Sequence, residues 1–236
     1  MCVICMIPAR LGSKRIKKKA LRMLGEKPLI QYVIDTAKEV FPLNKIYLNS
    51  SYDIFKNIAE INGIQFYKRN IELSQDDITS NEFIYDFINN VKSDYVVQLL
   101  LTSPFLTKKD ISNFVKNLVK NNYDVFYSVK EEQIECVYKN QFVNFSLNEG
   151  KKKSQDLEPL LILTSGLAGF KVSTYLRNYE KNKNAMFGHN GDKIGYYKLS
   201  YFSAIDIDTE EDFRLAEAVL NAKRDKYETR YYDQKK

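Results

Sequence analysis

The chain has no tryptophan, one histidine and three cysteines among its 236 residues. Cys2, Cys5 and Cys136 are too few for a disulfide framework. Cys2 and Cys5 have C-x-x-C spacing, but no second Cys/His pair completes a zinc site. Both sit in or beside the first apolar run, where cysteine serves as a small hydrophobe. The lone histidine, His189, lies in the loop-like run Phe187-Gly188-His189-Asn190-Gly191 and reads as a surface residue, not a general base. A Gly-Lys-Ser/Thr sequence is missing, which excludes a P-loop, and G-x-G-x-x-G is missing as well. No apolar run is long enough to span a bilayer, and charge arrives by Arg10. Neither membrane insertion nor a signal peptide is therefore expected, and the chain reads as cytoplasmic. There is no internal repeat and no nucleic-acid motif.

What is present is ordinary in bulk: 44% hydrophobic, 28% charged, net charge +6. The abundance of Lys, Asn, Ile and Tyr fits an AT-rich genome and carries no functional meaning. The clusters Lys17-Lys18-Lys19 and Lys151-Lys152-Lys153 could attract nucleic acid or an acidic membrane. Without an aromatic-interleaved basic stripe they read as solvated lysines, so no nucleic-acid partner is expected. The length suits one α/β domain over residues 1–223, with a charged tail over 224–236.

Strand and helix signals alternate along most of the chain. Val3 to Ile7, Ile46 to Leu48, Gln65 to Tyr67, Tyr95 to Leu101 and Val125 to Val129 read as strands. Between them, helical spacing links Leu29 to Val40, Ile54 to Ile61, Phe83 to Val91 and Ile111 to Leu118. Pro28 suits the first turn of its helix, and Gly63 is placed to end the next. Such repeats predict a mostly parallel sheet covered by helices on both faces. The pattern weakens over 130–158, an insertion, dimerisation arm or lid, and the less regular region extends to about 195. Strand signals return at Leu160 to Leu163, Ala168 to Lys171 and Tyr196 to Leu199. A last helix follows Thr209, with Thr209 and Asp212 as a capping box.

Chemistry concentrates at two places. The first strand empties into Pro8-Ala9-Arg10-Leu11-Gly12-Ser13-Lys14, closing on Lys19. Such a turn, at the C-terminal end of a strand, lies where open α/β sheets bind ligands. Arg10, Ser13, Lys14 and Lys19 suit a polyanion such as a nucleoside triphosphate and the charge that builds on a departing pyrophosphate. A surface lysine patch is an equal reading of composition alone. Far along the chain, Ile205-Asp206-Ile207-Asp208-Thr209 places two carboxylates at a strand's two-residue period, hence on one face. Mg²⁺ would relieve their repulsion, since it takes one or two carboxylates plus substrate phosphates. The bland alternative is a pair of solvated acids at a strand end. Gln98 to Pro104 ends a strand in a polar turn whose Thr102 and Ser103 contact either a ligand or their own backbone.

These two blocks together resemble the acylneuraminate (CMP-sialic acid) cytidylyltransferase family. Intermediate segments fall in the same order: Arg69 to Leu73-Ser74 with Asp76 and Ser80, Leu101-Thr102-Ser103-Pro104 with Thr107 and Asp110-Ile111, and Ser165 to Phe170. The N-terminal block, with Arg15, Lys19, Leu21 and Gly25 to Ile30, is also similar to 3-deoxy-manno-octulosonate (KDO) cytidylyltransferases. The resemblance implies a single GT-A-like domain with a small dimerisation insertion, usually a homodimer. It implies transfer of CMP from CTP to an acidic, sialic-acid-like nonulosonic sugar with release of pyrophosphate, using Mg²⁺, for surface polysaccharide synthesis. On it Arg10, Lys19 and Asp208 are catalytic. Arg10, Ser13, Lys14, Lys19, Arg69 and Ser80 hold nucleotide, and Asp206 and Asp208 hold the metal. Ala20, Leu100, Leu101, Leu106 and Ser51 depart from the sialic-acid pattern, mostly from polar to apolar. A KDO-type enzyme, another base or sugar, or an inactive nucleotide-binding relative are the alternatives.

Overall fold

The computed structural model describes residues 1–146, 148, 150 and 153–222. The expected tail over 224–236 and Lys151 and Lys152 of the second lysine cluster lie outside the described residues. In chain order the elements are β1 (Val3–Pro8), β2 (Met23–Leu24), β3 (Lys27–Pro28), α1 (Leu29–Lys38), β4 (Ile46–Ser50), α2 (Asp53–Asn62), β5 (Gln65–Lys68) and α3 (Ser80–Asn90). There follow β6 (Tyr95–Leu99), α4 (Lys108–Lys120), β7 (Val125–Glu132), β8 (Val137–Tyr138), β9 (Gln141–Phe142), β10 (Leu160–Lys171), α5 (Val172–Asn182), β11 (Ile194–Lys198) and α6 (Glu210–Ala222).

β1 shows why both sheet faces are covered. Its side chains alternate, Cys5 and Ile7 entering one core and Ile4 and Met6 the other. The first core is closed by buried residues of α1, α2, α4 and α6, among them Val33, Phe55, Phe114 and Phe213. The second is closed by α3 and α5 through Ile84, Phe87, Tyr175 and Tyr179. Burial pushes the Cys5 thiol far above its usual range, as suits a packing residue. The sheet runs β11-β7-β10-β6-β1-β4-β5, parallel except for β10, which is antiparallel to both neighbours. After β5 the chain crosses to the other side of β1, so the strand order reverses between β1 and β6. Ligands of open α/β sheets settle in that crevice.

Several expectations are corrected. Pro28 precedes its helix in extended conformation instead of occupying the first turn. The two strand signals at 160–163 and 168–171 are one bulged strand, β10, which shifts register against β7 between Leu163 and Ala168. The region to 195 is more regular than expected, since it holds all of β10 and all of α5. That helix is polar apart from Val172, Tyr175, Leu176 and Tyr179, which face the second core. Residues 205–208 form no strand. They run as a loop in which Ile207 is fully buried and bonds through its N–H to the Thr102 carbonyl (2.8 Å).

β11 needs Gly195. A Cβ there would come within 2.5 Å of the Tyr123 ring and 2.9 Å of Phe126. Those rings stack at 4.8 Å, so neither can yield freely. Gly195→Ala is expected to lower stability by about 1–3 kcal/mol, as overpacking does, measured by denaturant unfolding.

Candidate active site

The turn after β1 is held from inside. Ile16 is fully buried and anchors it, while Lys18 takes a left-handed conformation (φ 51°) that turns the chain inwards to Lys19. Lys19 is buried although charged. Its Nζ donates to the Ile207 carbonyl at 2.7 Å and to Asp208 Oδ1 at 2.9 Å. One lysine thus ties the N-terminal turn to the acidic loop 188 residues away. Arg15 meets the other Asp208 oxygen at 3.0 Å. Arg10 and Lys14 share Asp76, at 3.1 and 3.0 Å.

These groups wall a cleft of about 600 Å³ at the crevice between β1 and β6. Arg10, Ser13, Lys14, Lys19, Ser80 and Asp208 all line it, so most of the expected site is brought together. Ser80 is the first residue of α3, whose N-terminus adds partial positive charge. Ala20, Leu100 and Leu101 form an apolar part of the wall. Leu106, by contrast, is core, and the Ser51 hydroxyl bonds to Ser74.

Arg69 does not line the cleft. It is 3% exposed, donates to the Ala9 carbonyl at 3.1 Å and lies over the Phe83 ring. Burial, with the like charge of Arg10 adding to it, lowers its pKa to about 10, so it remains charged at neutral pH. Its place is behind the turn that follows β1, as a strut. Thr107 and Asp110, also in the family pattern, cap α4 reciprocally, and Asp110 accepts from Ser203 at 2.8 Å to pin the segment before Asp206. His189 lies on the surface, with a ring nitrogen 2.6 Å from the Asn184 carbonyl.

The acid pair is divided. Asp208 faces the cleft, whereas Asp206 lines a second hollow of about 560 Å³ walled by Lys130, Thr164, Lys198, Tyr201 and Leu215. The shared strand face is therefore replaced by a loop with one carboxylate toward each space. Asp206 Oδ1 is buried without a hydrogen-bond partner. Burial raises the Asp206 pKa; the adjacent Thr102 hydroxyl and Lys19 oppose the shift, and the Asp208 and Asp212 charges reinforce it. An orphaned carboxylate oxygen beside a second carboxylate suits a hard cation. No group of three or more His, Cys, Asp or Glu forms a metal cage among the described residues, so a metal here would need substrate oxygens too.

Asp212 secures the loop from below, accepting from the Asp208 and Thr209 N–H groups at 3.0 and 2.7 Å and from the Thr209 hydroxyl. Partial burial works against these bonds, yet they hold its carboxyl below the ordinary value of 3.8. A depressed folded-state pKa means that this cap contributes fully above 3.8 and is lost as pH falls through the lowered value. The stability advantage of the native chain over Asp212→Asn is expected to shrink steadily on acidification, followed by urea unfolding across the acid range.

Sequence reading assigned Arg15 no role in the site and left Thr102 open between ligand and backbone; both line the cleft. Arg15 stands in the same cation-rich turn, so its charge was visible, but its pairing with Asp208 was not.

A family described as Cytidylyltransferase matches residues 4–235. The N-acylneuraminate cytidylyltransferase of Escherichia coli O18:K1:H7 is 31% identical over 238 residues, covering 94% of this chain and 52% of the relative. That of Streptococcus agalactiae serotype V is 27% identical over 228 residues, covering 89% and 51%. The chain spans about half the length of these curated relatives. In fold it is similar to a CMP:2-keto-3-deoxy-manno-octonic acid synthetase solved with CTP, with a TM-score of 0.72 at 16% identity, covering 94% of this chain and 100% of that one.

Proposed function

The chain belongs to the cytidylyltransferase family, and from that premise we propose that it transfers CMP from CTP to an acidic, sialic-acid-like nonulosonic sugar, releasing pyrophosphate, for surface polysaccharide synthesis in the cytoplasm. The observation that carries this reading is the single cleft in which Arg10, Ser13, Lys14, Arg15 and Lys19 converge beside Asp208. The relatives' names supply the nucleotide and the class of sugar.

In this reading Arg10 and Lys14 grip the triphosphate, Arg10 able to bind two oxygens at once. Lys19, held by the Ile207 carbonyl, is positioned in advance for the charge that grows on the leaving pyrophosphate. Arg15 and Lys19 turn from Asp208 to phosphate, which frees that carboxylate. Asp208, joined by Asp206 once that carboxylate turns from the second hollow into the cleft, would then hold Mg²⁺, which supplies charge neutralisation at the phosphates. The sugar hydroxyl, entering from the Asp206 side, gives up its proton to solvent water as its oxygen forms a bond to the α-phosphorus. The bond to the β-phosphate oxygen breaks, and its electron pair leaves with pyrophosphate.

We also propose that the chain works as a homodimer. Val137, Tyr138, Phe142, Val143, Leu161 and Leu163 are all more than 40% exposed, on or beside β8 and β9 and on the first part of β10. Apolar side chains gathered on projecting strands suit a partner surface. Light scattering should give twice the chain mass, and Tyr138→Asp should halve it.

Pure protein incubated with each nucleoside triphosphate and a panel of nonulosonic and octulosonic acids tests the function. Pyrophosphate release with CTP and a nonulosonic acid is expected, and none with any CTP combination would exclude it. Ala20 and Leu100 in the cleft wall favour one second reading, relaxed choice of base, which the panel reveals as turnover with another nucleotide.

A further inference from the structure

Asp76 stands out in the cleft because its carboxylate does what a phosphate would do there. Its Oδ1 lies 3.1 Å from Arg10 and its Oδ2 lies 3.0 Å from Lys14, one oxygen to each cation. The side chains are well exposed: Arg10 43%, Lys14 72% and Asp76 48%. Asp76 rides on the exposed turn four residues before Ser80, at the rim of the same cleft. The hydrogen bond and charge of Lys14, helped by Arg10, keep its carboxyl below the ordinary range, so it is ionised throughout neutral pH.

We propose that Asp76 is a competitor built into the phosphate cradle. Its carboxylate occupies Arg10 and Lys14 while no polyphosphate is bound, yields them to one on entry, and reclaims them on departure. Exposed ion pairs of this kind stabilise folds weakly, so their effect falls mainly on how available the two cations are. Behind Arg10 lies the buried guanidinium of Arg69, a like charge that repels it. A counter-ion on the solvent side keeps Arg10 in place without a ligand. The price of this is affinity, since every polyphosphate must displace a carboxylate already seated.

The inference rests on the cleft being the triphosphate site, and the test separates the two. Metal-free inorganic tripolyphosphate is titrated calorimetrically into the native chain, Asp76→Asn and Asp77→Asn. Asp77 is an exposed acid at the next position, so its variant removes equal net charge. Asp76→Asn is expected to bind about 3- to 30-fold tighter, the range two exposed ion pairs allow. Asp77→Asn should stay near the native affinity, and the gain should shrink as salt rises. Equal or weaker binding by Asp76→Asn, or an equal gain in both variants, overturns the competitor role while leaving the phosphate site standing. Asp76→Ser serves if the Asn variant does not fold. If neither native chain nor variant binds tripolyphosphate or CTP, both the site and this inference fall. Binding by Asp76→Asn alone upholds both.

Discussion

Asp206→Asn and Asp208→Asn are each expected to lower CMP transfer about 100-fold or more, because each takes a full charge from the Mg²⁺ site proposed above. Their effects on stability should differ. Asp206 is a carboxylate whose ionised form burial disfavours and whose Oδ1 lacks a partner. An amide there removes a desolvated charge, so Asp206→Asn should melt at or above the native temperature. Asp208 is paired with Lys19 and Arg15 at 2.9 and 3.0 Å, and its substitution gives up both contacts. It should melt at or slightly below the native temperature. Steady-state rates at saturating Mg²⁺, read beside thermal melts, decide the matter. Near-native rates in both variants would remove the acids from the mechanism.

Lys19→Met is expected to be the most damaging change in the phosphate turn. A charge-assisted contact to phosphate is worth roughly 1.5–3 kcal/mol, or about one to two decades in the use of CTP. The loss should exceed that from Lys17→Ala or Lys18→Ala, whose side chains are exposed. Lys19→Met should also lower stability by about 1–3 kcal/mol, since it strips the Ile207 carbonyl of the Lys19 donor and cuts the tie between two distant loops. Arg10→Ala offers the contrast: its partner is an exposed carboxylate, so nucleotide use should fall with little change in melting. If Lys19 were only structural, its variant would melt early yet keep native kcat/KM per folded molecule. Equal, small kinetic effects at Arg10, Lys17, Lys18 and Lys19 would mean a diffuse lysine patch.

Much of the fold was legible because its strands are buried on both faces and its helices are amphipathic. Val3 to Ile7 and Tyr95 to Leu99 are apolar runs bounded by polar turns, which is what a doubly covered parallel strand requires. Gly63 ends α2 in the left-handed conformation (φ 68°) that its position suggested. α5 escaped because it meets its core mainly through tyrosines set among polar residues, so the helical period is faint. The Ile-Asp-Ile-Asp alternation misled for the opposite reason. Its period is that of a strand, but a strand also needs a neighbour to complete its ladder, and a local pattern carries no information about neighbours.

The same boundary runs through the site. The sequence by itself determined which charges stand at the end of β1 and that two acids follow one another near the last helix, because side-chain chemistry and short-range spacing are local properties. It also determined the capping pair Thr209 and Asp212, three residues apart. Only the tertiary structure decided that Lys19 is buried against Ile207 and Asp208, that Arg69 braces Ala9 instead of lining the cleft, and that Asp206 and Asp208 face different spaces. These depend on contacts across 60 to 189 positions of chain, set by the strand order that places β1 beside β6. Burial and pairing, and with them the state of each charge, are properties of that assembled crevice.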